Sequence, residues 1–174
     1  MGWMHTARFL TTAAQLHHLP PINVPEIAFV GRSNAGKSTC INTLTQQKQL
    51  AFASKRPGRT QHINLFSLGK QGITDAVFAD LPGYGYAKVS RSDKLRWQQV
   101  MVNYLVSRPG LTGIVLLCDP RLGLTELDEA LLDFGIGPDP GGHGCQHLFG
   151  LLLHCVGVAQ PVHEVIVRIG HWCS

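Results

Sequence analysis

Residues 26–38 read Glu-Ile-Ala-Phe-Val-Gly-Arg-Ser-Asn-Ala-Gly-Lys-Ser, and this run constrains the fold more than any other. A short apolar stretch, residues 26–30, leads straight into Gly31 and predicts a buried strand. Residues 37–46 contain neither proline nor glycine and predict a helix. Between them stands Gly31-Arg32-Ser33-Asn34-Ala35-Gly36-Lys37-Ser38, a Gly-x-x-x-x-Gly-Lys-Ser pattern. Average residue usage produces that pattern by chance in on the order of 1% of chains this long. Its position after a strand and before a helix makes coincidence rarer still, because strand, glycine loop and helix together define a P-loop.

The chemistry follows from the residue types. Gly31 and Gly36 let the chain wrap without Cβ clashes, so the backbone N–H groups from Arg32 through Ala35 turn inward toward phosphate oxygens. The helix beginning near Lys37 adds the positive end of its dipole. Lys37 reaches the terminal phosphates of a nucleoside triphosphate, and Ser38 offers its hydroxyl to Mg²⁺. A plain glycine turn joining strand to helix is the competing reading.

A second motif supports the first. Residues 76–80 form another short apolar run ending in Asp80-Leu81-Pro82-Gly83. An acidic residue at a strand end suits a Mg²⁺-bound water, and a glycine three positions on can offer its N–H to a γ-phosphate. Alone, Asp-x-x-Gly is often just a turn; downstream of a P-loop it gains meaning.

The rest of the chain reads as strands alternating with helices, which predicts an α/β domain of three layers. Residues 5–17 have helical character and end at Pro20-Pro21. Residues 48–61 are polar and basic, with Lys48, Lys55, Arg56 and Arg59, and predict a loop. Residues 62–68 alternate as a strand does. Residues 91–107 predict an amphipathic helix burying Leu95, Val100, Val102 and Leu105. Residues 113–119 are continuously apolar, as in a central parallel strand, and residues 124–134 predict a further helix.

Past residue 134 the composition changes. Residues 135–174 carry three formal charges (Asp139, Glu164 and Arg168) but eight glycines and five of the nine histidines. Only residues 162–169 look strand-like. His143, Cys145, His147 and Cys155 offer zinc-ligand atoms, at a spacing that matches no common structural zinc pattern. The predicted organisation is therefore an N-terminal extension and helix over 1–22, a P-loop core over 23–134, and an atypical or out-of-frame tail over 135–174.

Global properties set bounds. The 174 residues suit one domain, and the formal net charge of +4 permits contact with RNA without requiring it. Five scattered cysteines fit reduced thiols in a cytoplasm. The opening Met1-Gly2-Trp3-Met4-His5-Thr6 matches a myristoylation pattern, a weak signal. No apolar run approaches the roughly 20 residues of a membrane helix, so no membrane association is expected.

These motifs, with Lys55-Arg-Pro-Gly-Arg-Thr-Gln61 and Asp80-Leu-Pro-Gly-Tyr-Gly-Tyr-Ala87, resemble the EngB/YihA family of bacterial ribosome-assembly GTPases, over residues 5–134. The resemblance implies a G domain of the P-loop NTPase fold, with a mostly parallel sheet between helices. It implies GTP and GDP as ligands with Mg²⁺, and slow hydrolysis used as a switch in large ribosomal subunit assembly. The family is also associated with normal cell division and septation. It further implies a bacterial cytoplasmic protein, a monomer, that contacts the large subunit or its rRNA. Thr60 would join Ser38 and Asp80 in the Mg²⁺ shell, and Gly58, Arg59, Thr60, Gln61 and His62 would form the first mobile loop over the phosphates. Asp80, Leu81, Pro82 and Gly83 would form the second, and Thr39 would help hold the α-phosphate. Lys37, Thr60, Gly83 and Asn34 would carry the chemistry. Asn34 stands where related potassium-activated GTPases place a K⁺ ligand; a polar loop residue without that role is the other reading. The basic loop at Lys55, Arg56 and Arg59 either touches rRNA phosphates or is a solvated loop. Tyr84 follows Gly83 in place of a water-orienting glutamine, so intrinsic hydrolysis is expected to be slow and to need K⁺ or a macromolecular partner.

The chain also departs from the family pattern. A guanine-reading Asn/Thr-Lys-x-Asp motif after a fifth strand does not occur in the sequence, and residues 162–169 only imitate that strand. The predicted domain is thus incomplete at its C-terminal side, with the strand at 113–119 left as an exposed apolar edge prone to aggregation. The alternative function is a non-hydrolysing relative that binds nucleotide phosphates or rRNA without guanine specificity.

Overall fold

The computed structural model describes residues 3–52, 62–85, 90–119, 122–134 and 164–169. In chain order they form β1 (Arg8–Ala13), β2 (Glu26–Gly31), α1 (Lys37–Leu44), β3 (Ile63–Leu68), β4 (Ala76–Asp80), α2 (Arg91–Ser107), β5 (Leu111–Cys118), α3 (Glu126–Phe134) and β6 (Glu164–Ile169). The strands make a single sheet in the order β1-β3-β4-β2-β5-β6.

The two continuous apolar runs, β2 and β5, lie side by side at the centre. β2 pairs in parallel with both β4 and β5, whereas β1 with β3, β3 with β4, and β5 with β6 are antiparallel. The sheet is therefore mixed, not mostly parallel as expected. For β3 and β4 the cause is connection length. Parallel neighbours need a long crossover, whereas a short turn forces antiparallel pairing. β3 and β4 are joined by such a turn, closed by Ile73 N–H to Lys70 O at 3.0 Å and Asp75 N–H to Leu68 O at 2.8 Å.

Alternation along β2 serves two cores. Ala28 and Val30 face a cluster with Ile63, Leu65, Tyr104, Leu105 and Leu131. Phe29 faces the other side, with Ile41, Phe66, Phe78 and Leu117, where its ring meets Phe78 edge-on at 5.1 Å. Each such fully buried side chain contributes about 1.5–3 kcal/mol. Helix α1 thus covers one face, and α2 and α3 cover the other.

Three expectations need correction. Residues 5–17 are not a helix: a short 3-10 turn at Trp3–Thr6 precedes strand β1, and a second follows at Leu16–His18. The strand exists because β3 offers it an edge, with Phe9 opposite Phe66 and Thr12 opposite Asn64. In α2 the buried stripe is Trp97, Met101, Tyr104 and Leu105, while Leu95 is 59% exposed and Val102 is also exposed. Trp97, Met101 and Tyr104 recur at i, i+4 and i+7, the spacing of one helix face. Finally, β5 is not left as an open edge, because β6 pairs along it from Cys118–Glu164 to Gly113–Ile169. Residues 135–163 and 170–174, including the candidate zinc ligands, lie outside the described residues.

Candidate phosphate-binding site

Gly31 ends β2 and Gly36 caps α1, so the loop between them is stretched across the carboxyl ends of the parallel strands. Gly31 is required by its neighbour: with φ at +144°, a Cβ there would come within 2.4 Å of the Leu117 carbonyl oxygen on β5. Gly36 takes φ +92°, a left-handed conformation open to glycine. Asn34 also adopts positive φ, +66°, which asparagine tolerates better than most residues, and its side chain is exposed. Ala35 N–H bonds Arg32 O at 3.1 Å, which closes the turn.

Lys37 is buried, and its ammonium donates to the Gly31 and Arg32 carbonyls, each at 3.0 Å. The Ser38 hydroxyl donates to Asp80 Oδ2 at 2.9 Å. Asp80 is the last residue of β4 and pairs with Phe29 on β2, so the parallel ladder itself brings the two motifs together. Its other oxygen, Oδ1, is buried with no hydrogen-bond partner. Burial pushes the Asp80 carboxyl above its ordinary value, against the pull of Lys37 and Ser38. Burial likewise lowers Lys37, against the pull of Asp80.

This arrangement suits two ions at once. A helix N-terminus, a loop of backbone donors and an ammonium favour an anion of phosphate type. The serine hydroxyl and a carboxylate with one unpartnered oxygen are hard donors of the kind Mg²⁺ prefers. Among the described residues no group of three or more His, Cys, Asp or Glu could hold a metal, so any cation here relies on a mixed donor set.

The segment after Asp80 folds back onto the loop. Leu81 N–H bonds Phe29 O at 3.1 Å, and Ser33 N–H bonds Tyr84 O at 2.8 Å. Leu81, Pro82 and Tyr84 are buried. Gly83 sits so close to the loop that a Cβ would lie 2.7 Å from Ser33 Cα and 2.9 Å from Lys37 Nζ. Of the remaining predicted residues, Thr39 is exposed on the first turn of α1 and His62 is exposed just before β3. Gly58, Arg59, Thr60 and Gln61, with Lys55 and Arg56, lie outside the described residues.

Sequence reasoning missed one constellation. The Tyr84 hydroxyl donates to Asp128 Oδ1 in a buried hydrogen bond. Asp128 Oδ2 accepts from Thr125 N–H at 2.8 Å and Thr125 Oγ1 at 2.7 Å. Thr125-x-x-Asp128 is readable as a capping pattern; its link to Tyr84 is not.

The end of the sheet matters for base recognition. In an open α/β sheet ligands sit beyond the carboxyl ends of the parallel strands. β6 runs the other way, and its last residue, Ile169, pairs with Gly113 near the start of β5. The chain therefore leaves β6 at the end of the sheet opposite the glycine loop.

Comparison with known proteins agrees with these motifs. A family model described as "50S ribosome-binding GTPase" matches residues 26–140. "Probable GTP-binding protein EngB" of Acidovorax ebreus is 90% identical over 133 residues, covering 76% of this chain and 61% of the relative. The protein of the same name from Albidiferax ferrireducens is 82% identical, over 76% of this chain and 64% of its own length. A crystal structure of a probable GTP-binding protein engB superposes with a TM-score of 0.45 at 25% identity, covering 63% of this chain and 62% of that one. The chain thus spans less than two thirds of the curated relatives that it matches.

Proposed function

The chain belongs to the 50S ribosome-binding GTPase family, in its EngB/YihA branch, and from that premise we propose that it binds GTP and GDP with Mg²⁺ and hydrolyses GTP slowly. The hydrolysis serves as a switch in large ribosomal subunit assembly, with consequences for cell division and septation. The observation that carries the reading is the Ser38–Asp80 contact at 2.9 Å beside buried Lys37, which joins both phosphate-site motifs in one place.

In this reading the loop N–H groups not bonded within the fold, those of Asn34, Gly36, Lys37 and Ser38, hold the phosphates, assisted by Thr39, while Ser33 N–H stays on the Tyr84 carbonyl and Ala35 N–H on that of Arg32. Lys37 exchanges its two carbonyl acceptors for phosphate oxygens, and Gly83 N–H faces the terminal phosphate. Ser38 and Asp80, joined by Thr60, would hold Mg²⁺, which would supply charge neutralisation at the phosphates. Gly58 to His62 close over the nucleotide. Tyr84 takes no part in orienting water, because its hydroxyl is committed to buried Asp128. Hydrolysis is therefore slow; Asn34 would hold K⁺, and that ion or the ribosomal subunit would supply the missing charge stabilisation. The partner is the large subunit or its rRNA, approached by a monomer through the basic loop at Lys55, Arg56 and Arg59. The setting is the bacterial cytoplasm; no helix among the described residues is long and apolar enough to cross a membrane.

A second reading is favoured by the direction of β6. The last residue of that strand, Ile169, lies at the sheet end away from the phosphate loop, and the sequence holds no Asn/Thr-Lys-x-Asp. On this reading the chain binds nucleotide phosphates, or rRNA, without choosing guanine. One experiment separates the two: competition of GTP and ATP for a fluorescent nucleotide, with Mg²⁺ and with K⁺ or Na⁺. Clear GTP preference supports the switch; equal competition supports the second reading. Lys37→Ala should abolish binding in both, and undiminished affinity would remove the P-loop from either.

A further inference from the structure

The Asp80–Gly83 segment is tied to α3 by a contact that the phosphate site does not need for its own construction. Tyr84 is 5% exposed and Asp128 is fully buried, so their hydrogen bond is sheltered from water. Burial, and then Asp128 itself, hold the Tyr84 hydroxyl far above its ordinary value, so it remains a donor. Asp128 divides its oxygens between two tasks: Oδ1 receives Tyr84, while Oδ2 caps α3 through Thr125 N–H and Oγ1.

The neighbouring backbone is pinned from the other side. The Tyr84 carbonyl accepts Ser33 N–H at 2.8 Å, and Arg32 and Tyr84 form an isolated parallel bridge. Gly83, between Tyr84 and Asp80, lies against Lys37 Nζ so closely that a methyl group would come within 2.9 Å. Fixing the tyrosine ring fixes the glycine.

We infer that Tyr84 and Asp128 are positioning residues: their hydrogen bond anchors Gly83 beside Lys37, where it distinguishes a nucleoside triphosphate from a diphosphate. The inference rests on the nucleotide reading above. A diphosphate is held by the loop from Gly31 to Ser38 and is indifferent to the anchor. A γ-phosphate needs Gly83 and Lys37 at a set separation and so responds to it.

The test uses the full chain and measures the affinities of a fluorescent non-hydrolysable GTP analogue and of fluorescent GDP. Tyr84→Phe keeps the ring and removes the hydroxyl. Asp128→Asn keeps the shape but turns one of the two carboxylate oxygen positions into an NH2 donor, so Tyr84 on Oδ1 and Thr125 on Oδ2 cannot both keep their acceptor. Thr125→Ala weakens the α3 cap and leaves Tyr84 its acceptor, so it reports a purely structural effect. We expect Tyr84→Phe and Asp128→Asn to lower the triphosphate-over-diphosphate preference by about fivefold or more, with diphosphate affinity unchanged. Thr125→Ala should lower the melting temperature and keep the wild-type preference. If the wild type binds neither nucleotide, the functional reading fails and takes this inference with it. If the wild type binds both and Tyr84→Phe, still folded by circular dichroism, keeps the wild-type preference, the anchor alone is overturned.

Discussion

The Ser38 hydroxyl donates to Asp80 Oδ2 at 2.9 Å, joining the first turn of α1 to the end of β4. The carboxylate's second oxygen, buried and unpartnered, leaves a hard donor available beside the serine. Ser38→Ala removes one of the two oxygens and should lower the enhancement of nucleotide affinity by Mg²⁺ about tenfold or more, in line with losses from disturbing a metal's ligand surroundings. Affinity measured in excess chelator should barely change. A Mg²⁺ titration of wild type and variant checks this, and equal enhancement in the two would place the cation elsewhere.

Asp80 also predicts a pH dependence of stability. Its folded-state pKa is raised, by burial first, so the folded chain holds this proton more tightly than the unfolded one. Its contribution to stability is present below the ordinary carboxylate value of 3.8 and is lost as pH rises through the higher folded value. Asp80→Asn has no such titration. The stability of wild type minus that of the variant should therefore fall as pH rises above about 4, by at most about 1.4 kcal/mol per unit for one proton. Urea unfolding at a series of pH values measures it; a difference that grows with pH contradicts the raised value.

The two motifs were readable because each is local: a strand end, fixed residues at fixed spacing, and a helix start or turn. What was not readable depends on partners distant in sequence. β1 looks helical in isolation because Arg8, Phe9 and Leu10 are all exposed, so no two-residue alternation marks it, and only pairing with β3 makes it a strand. The buried face of α2 was only half legible: Leu105 is buried and Val100 packs against the core, but Leu95 and Val102, as apolar as the real contacts, are exposed, while Trp97 and Tyr104 carry polar atoms that disguise them. The Tyr104 hydroxyl is satisfied by Glu26, which is 78 positions away, and that of Tyr84 by Asp128. The antiparallel direction of β6 is likewise a property of pairing and not of composition.

Two glycines near the phosphate site should fail differently when given a side chain. At Gly31 the obstacle is backbone: a Cβ would meet the Leu117 carbonyl oxygen at 2.4 Å, at a φ that strains any other residue. At Gly83 a Cβ would meet backbone as well, Ser33 Cα at 2.7 Å and Ser33 N at 2.8 Å, with the movable Lys37 Nζ at 2.9 Å, but without the left-handed φ that strains Gly31. Gly31→Ala should cost about 3 kcal/mol or more of stability, as core strain and a disfavoured backbone add. Gly83→Ala should cost nearer 1 kcal/mol while impairing triphosphate binding. Denaturant unfolding and nucleotide titration of both variants check the contrast; equal losses of stability would mean that the φ of +144° at Gly31 adds no strain to the steric contact.

At the opposite end of β2 a buried network sets where the strand begins. Arg108, just past α2, donates to Glu26 Oε2 at 2.7 Å and Oε1 at 3.2 Å, and to Pro20 O at 3.2 Å. Tyr104 donates to the same carboxylate and lies under the guanidinium, 5.6 Å from it. Glu26 is fully buried, so its carboxyl oxygens rely on these partners as hydrogen-bond donors. Arg108→Ala leaves the carboxylate with Tyr104 alone and should destabilise the chain by roughly 3–5 kcal/mol, the usual cost of uncoupling a buried pair. Adding Glu26→Gln to that variant should recover part of the loss, because the uncompensated charge is gone. Glu26 starts the strand and Gly31 ends it, so nucleotide affinity of the folded variant should match wild type. Urea melts with a double-mutant cycle, beside nucleotide titration below the transition, decide the matter. A loss of affinity in folded Arg108→Ala would show that strain at the start of β2 reaches the phosphate loop.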